Sequence, residues 1–209
     1  DASISDKEVT VRKVLEDIQA RGDEALLKFT AEFDRVELEA SQLRVTGAEL
    51  DAAYQQVPQR LLNAIRRAQQ QIEAFHQKRV PKSWVSFEDN GITLGKRYTA
   101  VDRAGLYVPG GRASYPSTVL MNAVPAKVAG VDRIVMVTPP KSDGSLNAAV
   151  LVAAQEAGVS EIYRVGGSQA VAALAYGTAT IPKVDVISGP GNIYVTLAKR
   201  LVYGTVGID

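Results

Sequence analysis

The second half of this chain repeats one unit: a short apolar run that reads as a strand, followed by a run that reads as a helix. The strand-like runs are Ala104–Val108, Arg133–Thr138, Glu161–Val165 and Val184–Ser188. Strand alternating with helix through short crossovers predicts an α/β fold, a doubly wound, Rossmann-like parallel sheet with helices on both faces. Three of the turns after these strands are glycine-rich: Pro109-Gly110-Gly111, Gly166-Gly167-Ser168-Gln169 and Gly189-Pro190-Gly191-Asn192. Ligands of such sheets bind outside the carboxyl ends of the strands. The three turns are therefore expected on one rim, with backbone N–H groups facing a ligand.

The first half has a helical period. Val11, Val14, Leu15 and Ile18 fall on one helical face, and Gly22 is placed to stop that helix. Asp23 is expected to cap a second helix with Leu26, Phe29 and Phe33 inward. Leu43–Thr46 reads as a short strand, and a helix is expected over Ala48–Gln56. Pro58 suits the first turn of a long helix with an apolar stripe of Leu61, Ile65, Ala68, Ile72 and Phe75 and a solvated face at Arg66 and Arg67. From Trp84 to Tyr98 the pattern changes to that of a β-hairpin turning at Asn90-Gly91. The expected division is a mostly helical part over 1–103, ending in this hairpin, and the sheet domain over 104–209.

Within the second half, the helix Ser117–Ala129 contains Pro125, which predicts a kink or break near Asn122. Another helix is expected from Ser145 to Gly158, and the last from Asn192 to Tyr203, closed by Gly204. Asp132, Arg133 and Asp185 flank strands and read as solvated.

Composition narrows the function. Lys and Arg number 24 against 23 Asp and Glu, a net charge of +1, which argues against a dedicated nucleic-acid binder. There is no Cys and a single His, His76, so the chain offers neither a disulfide framework nor a thiolate-rich or His-rich metal site. Neither a Ser-His-Asp set nor a Cys nucleophile can be assembled. No apolar run approaches the ~18 residues of a membrane span. No leader segment is apparent at Asp1, and the absence of an initiating Met points to a trimmed start.

The glycine turns carry the remaining chemistry. At Gly189-Pro190-Gly191-Asn192, two glycines leave the backbone open to a ligand, the following helix offers N–H donors, and Asn192 adds an amide. The same residues also make a plain structural turn with Asn192 as N-cap. At Gly166-Gly167-Ser168-Gln169, Ser168 is able to cap the helix, and Gln169 follows too closely to complete a capping box, which favours a ligand contact for it. Tyr107 ends the first strand, where it stacks on a ring, hydrogen-bonds through its hydroxyl, or fills the core. None of the turns is the G-x-G-x-x-G fingerprint or a P-loop.

Taken in order, several segments resemble histidinol dehydrogenase. They are Arg21-Gly22-Asp23-Glu24-Ala25-Leu26 with Phe29 and Phe33-Asp34; Gly105 to Gly111 with Ser117 to Met121; Val165 to Ala170; and Gly189 to Asn192 with Ala198-Lys199. Members of that family are zinc-dependent and NAD-dependent enzymes of histidine biosynthesis. They oxidise L-histidinol to L-histidine through the aldehyde in two hydride transfers. The resemblance implies a cytoplasmic, intertwined homodimer, and it implies that Tyr107, Gln169 and Asn192 contact NAD. The family's zinc ligands and acid–base pair match no position here, so no catalytic or metal residue is assigned, and the chain alone is expected to be inactive. Two rival readings stand beside this one. One is a related dehydrogenase acting on another small alcohol, since sites and not folds set the substrate. The other is a non-catalytic nucleotide-binding module.

Overall fold

The computed structural model describes residues 2–110 and 115–209, so Gly111 of the first glycine turn lies outside the described residues. The first half comprises α1 (Ala2–Arg21), α2 (Asp23–Phe29), a π-helical turn (Thr30–Asp34), α3 (Ala40–Leu43), α4 (Gly47–Gln56) and α5 (Gln59–Gln77). An antiparallel hairpin of β1 (Trp84–Phe87) and β2 (Thr93–Lys96) follows. Then come β3 (Arg103–Tyr107), α6 (Pro116–Val128), β4 (Arg133–Thr138), α7 (Ala148–Glu156), β5 (Glu161–Arg164), α8 (Gly167–Tyr176), β6 (Val186–Ser188), α9 (Ile193–Val202) and β7 (Gly207–Ile208).

The expected parallel sheet is present. Its order is β5-β4-β3-β6-β7 and every pairing in it is parallel. Successive strands step outward from β3 through β4 to β5, and the chain then crosses back to lay β6 on the other side of β3. The junction between β3 and β6 is the switch point at which such sheets open a ligand crevice. Side chains alternate across the sheet with the strand period. Val135, Val137, Tyr163, Val165 and Ile187 join a core with α1, α2, α8 and α9, whereas Leu106, Val108, Ile134, Met136 and Ile162 join one with α4 to α7. Burial of both faces is why these strands read as unbroken apolar runs. Each core draws residues from both sides of residue 103. The α1 stripe of Val11, Val14, Leu15 and Ile18 is buried as its spacing predicted, and α1 packs on α8 and α9.

Several local expectations give way to tertiary partners. The helix with Pro125 is unbroken from Pro116 to Val128. Pro125 sits one turn from its end, so one lost hydrogen bond, that to the carbonyl of the exposed Met121, is all it removes. Gly22, at φ 56°, ends α1 and is itself the N-cap of α2. Asp23 therefore does not cap; its Oδ2 accepts from Thr180 Oγ1 at 2.6 Å, tying α2 to the loop before β6. Leu43–Thr46 forms only an isolated bridge, Arg44 to Tyr163, because α3 takes up the preceding residues. Pro58 is the N-cap of α5 and not part of its first turn. The buried side chains of α5 are Leu62 and Ile65, with Ala68 and Ile72 partly covered, while Leu61 and Phe75 are exposed. The helix expected from Ser145 begins only after Asn147, whose Oδ1 accepts from the Ala149 and Val150 N–H groups.

Charges read as solvated are also used. Arg66 forms a fork on Glu156, with both bonds at 2.9 Å, joining α5 to α7. Arg133 pairs with Glu161, and Asp185 accepts the Arg103 N–H at 2.7 Å. The hairpin forms as predicted, yet Trp84, Val85, Phe87 and Leu94 all remain exposed, Phe87 at 77%.

Candidate active site

Four strand ends build one cleft of about 500 Å³. Tyr107, Pro109 and Gly110 come from the end of β3, Pro139 from the end of β4, Gly167 to Gln169 from the start of α8, and Asn192 and Tyr194 from the start of α9. The opposite wall is Glu32 to Arg35, the end of the π-helical turn. The expected convergence of Tyr107, Gln169 and Asn192 is thus present in the geometry. The rim requires its glycines. Gly189 has φ 123°, and a Cβ there would fall on the Tyr107 carbonyl oxygen; Gly167 has φ 61°, and a Cβ there would fall on Gln169 Oε1.

The three polar side chains are held differently. Asn192 is the N-cap of α9, with Oδ1 accepting from the Tyr194 N–H at 3.0 Å and the Val195 N–H at 3.1 Å. The capping reading of Asn192 is therefore realised, and its Nδ2 is left without a partner among the described residues. That cap consumes two of the helix's free N–H donors. By contrast α8 has no side-chain cap, because Gly166 occupies that position. Ser168, expected to cap, lies inside the first turn and is buried. Gln169 is then the third helical residue, the capping-box position, but its amide turns instead to Asp34, with Nε2 donating to Oδ2 at 3.1 Å. Gln169 is fully buried and its Oε1 has no partner among the described residues. The Tyr107 hydroxyl accepts the Gly167 N–H at 3.1 Å, and its own O–H proton has no acceptor among the described residues. Beneath the last glycine turn, Lys199 Nζ donates to the Gly189 carbonyl at 3.0 Å and pairs with Asp209, whose Oδ2 accepts the Gly189 N–H at 2.8 Å.

Electrostatics single out the same wall. Burial pushes the Asp34 carboxyl up to about 6, although the Gly166 N–H and the Gln169 amide pull it down. Burial, with a smaller contribution from the Asp34 charge, pushes the Tyr107 phenol up to about 12. Phe33, expected inward, is instead 44% exposed on the cleft wall and stacks on Phe29 with ring centroids 5.5 Å apart. Asp34 is the site residue that residue chemistry alone did not find. Its only sequence signal is the Phe33-Asp34 pair within the resembling segments.

The family model for histidinol dehydrogenase matches residues 1–209. The chain belongs to the histidinol dehydrogenase family. It is 74% identical over 209 residues to the histidinol dehydrogenase of a Synechococcus species, covering all of this chain and 48% of that protein. To the histidinol dehydrogenase of Bacillus subtilis it is 52% identical over 209 residues, again with 48% of that protein covered. The crystal structure of histidinol dehydrogenase from Elizabethkingia anophelis superposes with a TM-score of 0.91 at 39% identity, over 96% of this chain and 46% of that one. The chain thus spans about half the length of the histidinol dehydrogenases it matches.

Among the described residues no group of three or more His, Cys, Asp or Glu side chains could hold a metal ion. No helix of the described residues is long and apolar enough to cross a membrane.

Proposed function

We propose that this chain is the NAD-facing part of a histidinol dehydrogenase, oxidising L-histidinol to L-histidine through the aldehyde. The observation that carries this reading is the convergence of Tyr107, Gln169 and Asn192 on one cleft at the switch point of the sheet. The groups left unpaired there among the described residues are a phenol O–H, a buried amide oxygen and an exposed amide N–H₂, a mixed set suited to a ligand that both donates and accepts. A dinucleotide is such a ligand, and NAD, when bound, supplies the hydride acceptor. The chain's own residues bind and orient it: Tyr107 closes the β3 end, Gln169 forms the floor and Asn192 offers Nδ2 from the rim of α9. The glycines allow the ligand to approach the backbone.

Zinc does not fit the residues present, given one His, no Cys and no cluster of ligating side chains among the described residues. The residues present therefore support no step through a metal. A homodimer is part of the proposal, supported by the exposed apolar side chains of the β1–β2 hairpin, which call for cover. A cytoplasmic location is consistent with a chain that contains no Cys.

The test is calorimetric titration of NAD into the intact protein, with Asn192→Ala and Asn192→Ser beside the wild type. Serine keeps a cap oxygen but has no N–H₂, so it separates capping from ligand binding. Loss of one hydrogen bond of about 1 kcal/mol weakens NAD about fivefold in both variants. A wild type that does not bind NAD overturns the proposal.

A further inference from the structure

We infer that Asp34 is a positioning residue. Its carboxylate fixes the Gln169 carboxamide so that Oε1, and not Nε2, is presented at the cleft floor to an N–H donor of the bound dinucleotide. The inference rests on the proposed function and adds to it which polarity the floor reads.

An ionised carboxylate only accepts, whereas a primary amide has a donating end and an accepting end. Asp34 Oδ2 therefore selects the Nε2 end of Gln169, at 3.1 Å, and turns Oε1 away. Among the described residues Oε1 then has no partner, although Gln169 is fully buried. Buried acceptors without partners are uncommon in native folds, and each calls for an explanation. Three residues carry such atoms among the described residues, Asp23, Arg164 and Gln169, and of these only Gln169 lines this cleft.

The chain also goes to some length to place Asp34. The carboxylate lies 135 residues before its partner, at the end of a π-helical turn, a form that recurs at functional sites. The next residue, Arg35, has φ 59°, the only positive φ of a non-glycine residue among the described residues. Local strain held in this way is concentrated at ligand sites. Gly167 completes the arrangement, since any side chain there would occupy the position of Oε1.

A dinucleotide offers two N–H₂ donors, the exocyclic amine of adenine and the carboxamide of nicotinamide. The experiment separates them. The intact protein is titrated calorimetrically with NAD, with nicotinamide hypoxanthine dinucleotide, in which a carbonyl replaces the adenine amine, and with 3-acetylpyridine adenine dinucleotide, in which a methyl replaces the carboxamide nitrogen. Wild type is expected to bind one analogue about tenfold more weakly than NAD, which names the donor. In Asp34→Asn the new amide can present either end to Gln169, so the discrimination shrinks to about threefold or less.

A second readout is pH. Protonated Asp34 can donate to Oε1 and release the amide orientation, so the wild-type discrimination falls as pH drops through about 6, while that of Asp34→Asn stays flat. The other titratable groups round the cleft are Glu32 and Arg35 on the same wall, Tyr107 on β3 and Tyr194 on α9. The phenol of Tyr107, pushed up to about 12, stays protonated throughout. Affinity ratios are taken within each variant, so a loss of folded protein changes the stoichiometry and not the ratio. If Asp34→Asn does not fold, the wild-type pH series alone decides. Equal binding of NAD and both analogues by wild type, or unchanged discrimination in Asp34→Asn, overturns the inference and leaves the proposed function standing. Absence of NAD binding in wild type overturns both.

Discussion

Replacing Gly167 with Ala tests how the cleft floor is built. Two costs are expected, and the fold contains the control that separates them. The first is conformational: φ at Gly167 is 61°, in the left-handed region, which costs an L-residue about 1 kcal/mol. The second is contact: the new Cβ would fall on Gln169 Oε1 and lie only 3.1 Å from its Cδ. Gln169 is fully buried at the base of the cleft, so its carboxamide has little room to shift. To make room it must turn away from Asp34, losing a hydrogen bond to a charged group of about 2 kcal/mol. The sum is about 3 kcal/mol. Gly204 also has a positive φ, 95°, but an added Cβ there meets nothing within 4 Å, so Gly204→Ala carries only the first cost, about 1 kcal/mol. Urea unfolding followed by far-UV circular dichroism gives both values through the change in midpoint at constant slope. A Gly167→Ala variant no less stable than Gly204→Ala would refute the packing argument for the floor.

Other consequences are independent of this one. Leu174 on α8 is fully buried, and Leu174→Ala should cost about 2–5 kcal/mol in the same assay, because the cavity cannot collapse between two packed layers. The Asp34 carboxyl is pushed up to about 6 in the fold, above its unfolded value. Its contribution is therefore fully present below the unfolded pKa, near 4, and is lost as pH rises through about 6. The amount is about 2 kcal/mol after allowance for partial exposure, and a pH series of unfolding midpoints for wild type should lose that much more between pH 4 and pH 7 than one for Asp34→Asn. Phe87 is exposed on the hairpin, so Phe87→Ser should change the unfolding free energy of the isolated chain by less than about 0.5 kcal/mol. A larger loss would mean that the hairpin packs on the body of the fold.

Much of the site was legible because glycine turns between strands and helices are local signals. Once a parallel sheet is inferred, its geometry carries Tyr107, Gln169 and Asn192 to one rim without knowledge of any long-range contact. What each side chain does there was not legible in the same way. Asn192 spends its oxygen on capping α9, a role its sequence position allowed but did not distinguish from ligand binding. Gln169 pairs with a carboxylate 135 residues away, and Phe33 leaves the core to face the cleft because the π-helical turn shifts the register of its face.

Periodicity, turn chemistry and glycine placement act over a few residues, so the chain alone specified its strand order of appearance, the inward faces of α1 and β3 to β6, the hairpin turn and the family. Partner choice across the fold is a different quantity. Whether Asp23 caps or ties, whether Pro125 breaks its helix, whether Arg66 faces water or Glu156, and which end of the Gln169 amide faces the cleft are set by what lies opposite in space. A polar group in a tertiary structure is placed by the nearest unpaired donor or acceptor, and the linear order of residues does not encode that neighbour.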